Sequence, residues 1–487
     1  MSRKNGGIIG PANTPVGGLT TGVAGGVWRM NDVANLISNS QWPIVAQNIE
    51  NSCRFNDGST DYLTRTHGSS ATLLTKGTFS AWVKRSTVAG EQTVFTGNKS
   101  DNNQRDFVRF EANSQLRARG CGGDFNLETT QVFRDASAWM HIVLEIDTTQ
   151  STSSDRVKMY VNGSQITDFS SPSYPSQDYV LEGWSNQTLQ TVGRDGKDSN
   201  TPFDGYMAEV IWVDGQALTP SNFGEFNTAT GIWTPRKIGQ QFGTVGNNGF
   251  YLDFKDSSTL GNDASGKNND FTVNNLTSID QTTDTCVVNY ATLNPLDFTG
   301  SVTASEGNTV FQGGRYKATF GVSSGKWYWE AKRLNAPDNA YIGIKGDDGD
   351  WNNSYNNSYT VYTFNGKYYL NGSDQGSYGS SSTTNDILIF ALDMDNGKFY
   401  IGENGTFYNS GDPAAGSNPM ASSISGTYLP VVINNSSSGT DQYSFNFGNP
   451  SFSISSGNSD ANGHGNFEYA VPSGYFALCS KNLAEFG

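Results

Sequence analysis

The sequence predicts an all-β protein: two antiparallel β-sandwiches joined by a polar bridge, behind an extended N-terminal arm. Three observations carry that expectation. Apolar residues make up 35% of the chain and charged residues only 16%, whereas helical bundles carry more Leu, Ala, Glu and Lys. Aromatics reach 12%, which disordered chains lack, so there is material for packed cores. Short alternating stretches recur along the chain with turn residues between them. At 487 residues there is room for two or three domains, each burying its own core.

Residues 1–45 differ from the rest. Gly6 through Pro15 reads as an extended segment with little capacity to fold alone. Asn31 is placed to cap a short helix carrying Val33, Leu36 and Ile37, ending before Trp42-Pro43. Ile8, Ile9, Trp28, Leu36, Ile37 and Trp42 have no core of their own, so they are expected to pack onto another chain or another domain. An arm folded back on its own body is the alternative. Gly-Ile-Ile-Gly-Pro-x-Asn-Thr-Pro followed by Gly-Val-Trp-x-x-Asn-Asp-Val resembles the opening of structural proteins of tailed bacteriophages. The resemblance implies an attachment arm, other virion proteins as partners, and assembly in the host cytoplasm.

Residues 46–238 read as the first sandwich. Phe79, Ala81 and Val83 alternate with Ser80, Trp82 and Lys84; further strands are expected at 93–96, 107–112, 115–119 and 139–146. Val157 to Val161 runs into Asn162-Gly163, a hairpin signal, and Phe203 to Val213 closes the series. The order F-S-A-W-V, W-x-H-I-V-L, V-K-M-Y-V-N-G, F-D-G-Y-M-A-E-V resembles the laminin-G/concanavalin A-like lectin family over about residues 50–236.

Residues 239–297 form an Asn/Asp/Thr-rich bridge with one candidate strand, Phe250 to Phe254, and no ordered acidic series of the kind that closes on a calcium ion. Residues 298–487 read as the second sandwich. Its clearest strand, Ile387 to Leu392, is apolar on both faces, which predicts a central strand between two layers. Asn396-Gly397 and Asn404-Gly405 then supply two turns of a meander. Flanked by Gly325-Lys326-Trp327-Tyr328-Trp329-Glu330, Tyr341-Ile342-Gly343-Ile344 and Tyr443-Ser444-Phe445-Asn446-Phe447-Gly448, this region resembles a SPRY domain. That resemblance implies a concanavalin-like sandwich that binds partners through loops and carries no catalytic motif.

The chemistry is sparse. Glu145 and Asp147 share one side of a strand, as paired carboxylates of a glycoside hydrolase would, but Thr149 and Gln150 stand where laminarinase-like families carry a second Glu. His67, His141 and His464 are the only histidines, and none belongs to a recognisable triad; His141 lies in an apolar strand, where a packed imidazole is the default. The expectation is a protein that is not an enzyme. Asp57, Asp61, Asp195 and Asp204 sit at sandwich loops where related domains bind calcium, which is left open; no other cofactor is expected. Cys53, Cys121, Cys286 and Cys479 are far apart, favouring free thiols over a zinc site or disulfide scaffold.

A net charge of −15 argues against nucleic acid as a partner, and no apolar run approaches the roughly 20 residues that span a bilayer, so no membrane insertion is expected. The N-terminus has no apolar core of a secretion signal. Within this acidic chain, Arg105 and Arg109 flank Phe107, while Arg117 and Arg119 share a face of the next strand. Arg109, Arg117 and Arg119 are therefore candidate contacts for a carboxylated or sulfated glycan. A solvated face balanced by Glu111 and Asp106 is the competing reading. Together these features predict a homo-oligomeric, tail-fibre-like virion protein adhering to a host surface glycan or protein. A packing-only decoration or connector protein, and a polysaccharide-degrading enzyme, are the alternatives.

Overall fold

A computed structural model describes residues 49–487, except 69, 100–103, 186–187, 197–200, 229, 237–244, 301–302, 336–339, 348–354 and 435–440. The arm, with its candidate attachment residues Ile8, Ile9, Trp28, Leu36, Ile37 and Trp42, lies outside the described residues. The fold is nearly all β. Among the described residues the α-helices are Glu182–Ser185 and Ser480–Phe486, and no helix is long and apolar enough to cross a membrane.

The N-terminal sandwich stacks two antiparallel sheets. One runs in the order Ser164–Ile166, Val157–Val161, Met140–Asp147, Lys76–Arg85, Gly205–Asp214, Ser52–Phe55, Gln281–Thr282, with Phe250–Leu252 also paired to Gly205–Asp214. The other runs Thr272–Asn274, Tyr62–Thr66, Leu189–Val192, Gln92–Asn98, Arg105–Phe110, Gln115–Arg119, Asn126–Val132. Phe79, Ala81 and Val83 face the core between them, as their alternation requires. At Asn162-Gly163 both residues have positive φ, 48° and 76°, and Val161 pairs directly with Ser164. This is the two-residue turn whose twist matches the strands.

The bridge is more than a linker. Its segments Phe250–Leu252, Thr272–Asn274 and Gln281–Thr282 add strands to both N-terminal sheets, and Phe250, Leu252, Phe254, Leu260, Phe271 and Leu276 enter the N-terminal core. Phe250–Leu252 falls within the expected strand, whereas Thr272–Asn274 and Gln281–Thr282 are too short to display a period and read as turns.

The C-terminal sandwich repeats the architecture. Its seven-stranded sheet runs Leu293–Thr299, Arg315–Ala318, Tyr428–Asn434, Ala340–Gly346, Ser358–Tyr362, Lys367–Leu370, Ser373–Ser377. The eight-stranded sheet centres on Lys326–Arg333, Ile387–Asp393 and Lys398–Glu403, with Phe476–Ala477 pairing parallel to the first. Ile387–Asp393 is buried along its whole length. Leu388, Phe390 and Leu392 face the main core, while Ile389 and Ala391 face an outer layer containing Tyr290, Tyr328, Phe467 and Tyr475. Asn404-Gly405 is a two-residue turn with φ of 49° and 81°; at the Asn396-Gly397 loop only Gly397 is positive.

The two sandwiches are fastened by buried polar contacts. Lys84, 1% exposed at its side chain, pairs with the fully buried Asp284 at 2.8 Å and donates to Asn289 Oδ1 at 2.7 Å. Trp139 Nε1 donates to the other Asp284 oxygen at 2.8 Å. Tyr206 Oη donates to Gly307 O, and Asn308 Nδ2 to Ser86 O. Arg54, fully buried, reaches Asp280 at 3.6 Å and Glu306 at 3.3 Å. The alternation of Ser80, Trp82 and Lys84 gives a strand with a polar-looking side, yet that side is covered by residues some 200 positions away.

Candidate glycan-binding surface

The arginines assemble on the outward face of the seven-stranded N-terminal sheet. Arg105–Phe110 and Gln115–Arg119 form a hairpin: Arg109 pairs with Arg117 and Phe107 with Arg119, placing all four on one side. Leu116 and Ala118 point the other way, into the core. Phe107 is fully buried on this outer face because guanidinium groups cover it. Arg109 lies 4.5 Å from its ring centroid, Arg105 5.7 Å and Arg117 5.8 Å.

The charges on this face are mostly matched, which corrects the expectation of a locally positive face. Arg109 grips Glu111 with two hydrogen bonds of 2.8 and 3.0 Å and meets Glu91 at 3.0 Å. Arg117 reaches Glu111 at 3.2 Å, Glu128 at 3.8 Å and Asn126 Oδ1 at 2.6 Å. Arg105 pairs with Asp195 at 2.6 Å. Burial would raise the Glu111 carboxyl, but Arg109 and Arg117 together hold it below its ordinary value. Arg109 and Arg117 are thus committed to a structural network. Sequence adjacency hid this, because Glu91, Glu128 and Asp195 lie on other segments.

Arg119 is different. It is half-buried and has no carboxylate within ion-pair distance among the described residues. Burial, and then the like charges of Arg117, Arg105 and Arg109, lower its pKa. A guanidinium stays charged through such a shift, so the position holds unspent positive charge and free donors. Asp106 does not balance this face. It points to the opposite side, fully buried, and accepts from the backbone N–H groups of Cys121, Gly183 and Trp184 at 2.8, 2.8 and 3.1 Å. Burial nonetheless pushes its carboxyl up to about 6. Gly97 and Gly183 touch backbone to backbone beside it, a close approach that a Cβ on either would block.

The carboxylates that suggested hydrolysis are both engaged. Glu145 accepts from Tyr160 Oη at 2.7 Å. Asp147 accepts from Thr149 Oγ1 at 2.6 Å and Gln150 Nε2 at 2.8 Å, and pairs with Lys76 at 2.9 Å. Burial opposes its ionisation, but those three side chains bring it down to about 2. His141 is packed between Trp82 and Trp233; its Nδ1 accepts from Trp233 Nε1 at 3.1 Å, leaving Nε2 to donate to Ser80 Oγ at 2.8 Å. Burial takes its pKa down to about 3. Among the described residues no group of three or more His, Cys, Asp or Glu is arranged to hold a metal ion, and Asp61 and Asp195 are committed to Ser59 and Arg105.

Sequence reading passed over a tyrosine patch on the outer face of the seven-stranded C-terminal sheet. Tyr341 and Tyr362 stack at 4.5 Å, with Tyr369 and Tyr355 edge-on to Tyr341 at 5.0 and 5.1 Å. Phe364, half exposed, lies beside Tyr362. Tyr362 pairs with Tyr341, and Tyr369 pairs with Thr360, two positions from Tyr362 and so on the same face, away from the core-facing Val361.

Residues 57–222 match the family model described as the concanavalin A-like lectin/glucanases superfamily, a laminin-G type. This lectin-like domain fits a carbohydrate-binding role. A search of curated proteins finds no match to the chain. Among solved structures, the SPRY domain of human HERC1 is 20% identical, over 31% of this chain and 96% of that one, with a TM-score of 0.27. The heptameric SAP-like pentraxin from Limulus polyphemus is 14% identical, over 36% and 80%, with a TM-score of 0.28. The Ruminococcus gnavus IT-sialidase CBM40, bound to α2,3-sialyllactose, is 15% identical, over 28% and 75%, with a TM-score of 0.22.

Proposed function

We propose that this protein is a non-catalytic, glycan-binding adhesion protein of a virion, tail-fibre-like in role, and that Arg119 is its contact for a carboxylated or sulfated sugar. The observation that carries the binding reading is Arg119 itself: a charged fork on an otherwise matched face, oriented by neighbours that are already paired. A carboxylate or sulfate would supply the two-point partner the face does not. The superfamily matched by residues 57–222 contains both lectins and glucanases, and the engagement of Glu145 and Asp147 in structural contacts favours the lectin side. The virion reading rests on the N-terminal arm, whose apolar residues would dock onto other particle proteins.

Titrating dextran sulfate and polygalacturonate against the parent and Arg119→Ala tests the binding reading. Saturable binding weakened roughly tenfold in the variant, and weakened in the parent by added salt, is expected. Release of reducing ends, or equal binding by parent and variant, would overturn it. For the arm, deletion of residues 1–45 should leave both sandwiches folded and abolish incorporation into particles. Normal incorporation would overturn the docking role.

A further inference from the structure

We propose that the cleft between the two sandwiches is a second binding site, one that takes a short neutral saccharide. The cleft encloses about 320 Å³, at the small end of the usual size of small-molecule sites, roughly 300–1,000 Å³. One wall comes from Asn51 and the bridge, including Gln281 and Thr283; the other comes from the C-terminal sandwich through Asn449, Phe452 and Asn466. Neither sandwich alone makes the site.

Three observations point to a ligand of this chemistry. No residue lining the cleft is charged, although the whole chain carries −15; a cation, Lys332 Nζ, stands 5.4 Å from the ring centroid of the lining Phe452. The lining instead combines amides and hydroxyls with the ring of Phe452, a mixture that suits a molecule with hydroxyl groups on one edge and C–H on its faces. Asn449 is 3% exposed and its Nδ2 has no hydrogen-bond partner. A buried donor left unpaired costs stability, so a ligand oxygen accepting from it would recover that cost on binding.

The cleft is also held rigid from beneath. Arg54 donates through Nη2 to Ile279 O at 2.9 Å on the bridge wall and through Nη1 to Pro450 O at 3.5 Å on the other wall. Its ion pairs with Asp280 and Glu306 fix it in place. One buried side chain thus sets the spacing of both walls, the preorganisation that lowers the cost of binding.

This site goes beyond the arginine face and is separable from it. The full chain is titrated with maltose, cellobiose, lactose and di-N-acetylchitobiose, using parent, Arg119→Ala, Asn449→Leu and Asn51→Ala. At least one of these sugars should bind the parent and Arg119→Ala equally and bind Asn449→Leu about tenfold more weakly, the worth of one hydrogen bond. Asn449→Leu should melt no lower than the parent, because it removes an unpaired buried donor. Should that variant not fold, Asn51→Ala on the opposite wall should still weaken binding. The proposal is overturned if none of the four sugars binds, if binding is unchanged in both cleft variants, or if it is lost in Arg119→Ala. An uncharged peptide binding where no sugar does would likewise overturn it.

Discussion

Replacing Lys84 with methionine should destabilise the protein by about 3–5 kcal/mol, the usual consequence of removing one partner of a buried ion pair. The structure explains the size. Lys84 and Asp284 are 1% and 0% exposed at their side chains, and Lys84 also donates to Asn289 Oδ1 and Tyr290 O. Without Lys84, Asp284 keeps Trp139 Nε1 and the Tyr290 backbone N–H as donors and loses its counter-charge. Burial already raises the Asp284 carboxyl above its ordinary value against the pull of Lys84. Each further pKa unit costs about 1.4 kcal/mol at neutral pH. A carboxyl raised in the folded state contributes stability that is full below its unfolded pKa and is lost as pH rises through the folded one. The deficit of Lys84→Met should therefore shrink between pH 7 and pH 4, and Asp284→Asn in the same background should restore much of it. Guanidinium unfolding of the parent, both single variants and the double variant, at both pH values, measures this. A loss under about 1 kcal/mol, or one equal at both pH values, would refute the claim that a buried ion pair fastens the bridge between the sandwiches to the N-terminal sheet.

Other expectations follow from the same packing. Phe390 is fully buried and stacked on Trp329 at 5.2 Å, so Phe390→Ala should cost about 3–5 kcal/mol by denaturant unfolding; below about 1 kcal/mol the two-layer placement of its strand fails. Arg109→Ala should cost about 1–3 kcal/mol at neutral pH, while Arg119→Ala should stay within about 0.5 kcal/mol of the parent. Because Glu111 is held below its ordinary pKa, the contribution of Arg109 is present above roughly pH 4 and lost as pH falls below it, which a pH series of melts would follow. For Asp106, raised to about 6, the sign is reversed: stability relative to Asp106→Asn should fall by something on the order of 2–3 kcal/mol between pH 4 and pH 7.

What the sequence revealed was what local periodicity can carry. Ile387–Asp393 was legible as a two-sided strand because six apolar side chains in a row need two apolar layers, and both layers are there. The turns at Asn162-Gly163 and Asn404-Gly405 were legible because those residues tolerate positive φ. The nearness of Arg109 to Arg117 was legible from the short connection between their strands, but the register was not: a two-residue turn at Asn113-Ser114 would set Arg109 opposite Ala118, whereas Glu111 pairs with Gln115 and so sets Arg109 opposite Arg117. What stayed hidden depends on partners far along the chain. Lys84 looks like a solvent-facing residue until Asp284 covers it, and Arg105 looks unmatched until Asp195 meets it. The cleft is built from Asn51, the bridge and the segment around Asn449, three pieces with no common motif. Of the bridge strands, Phe250–Leu252 was legible as apolar residues, while Thr272–Asn274 and Gln281–Thr282 are so short that only their pairing identifies them.

The proposed function is adhesion to an acidic glycan without chemistry, with Arg119 as the contact. Its most direct test is calorimetric titration of the full chain with a sulfated or carboxylated polysaccharide, parent against Arg119→Ala, with reducing-end release followed in the same samples. Saturable, salt-sensitive binding by the parent, a roughly tenfold loss in the variant, and no release of sugar from either are expected. Undiminished binding by Arg119→Ala, or steady release of sugar by the parent, would contradict it.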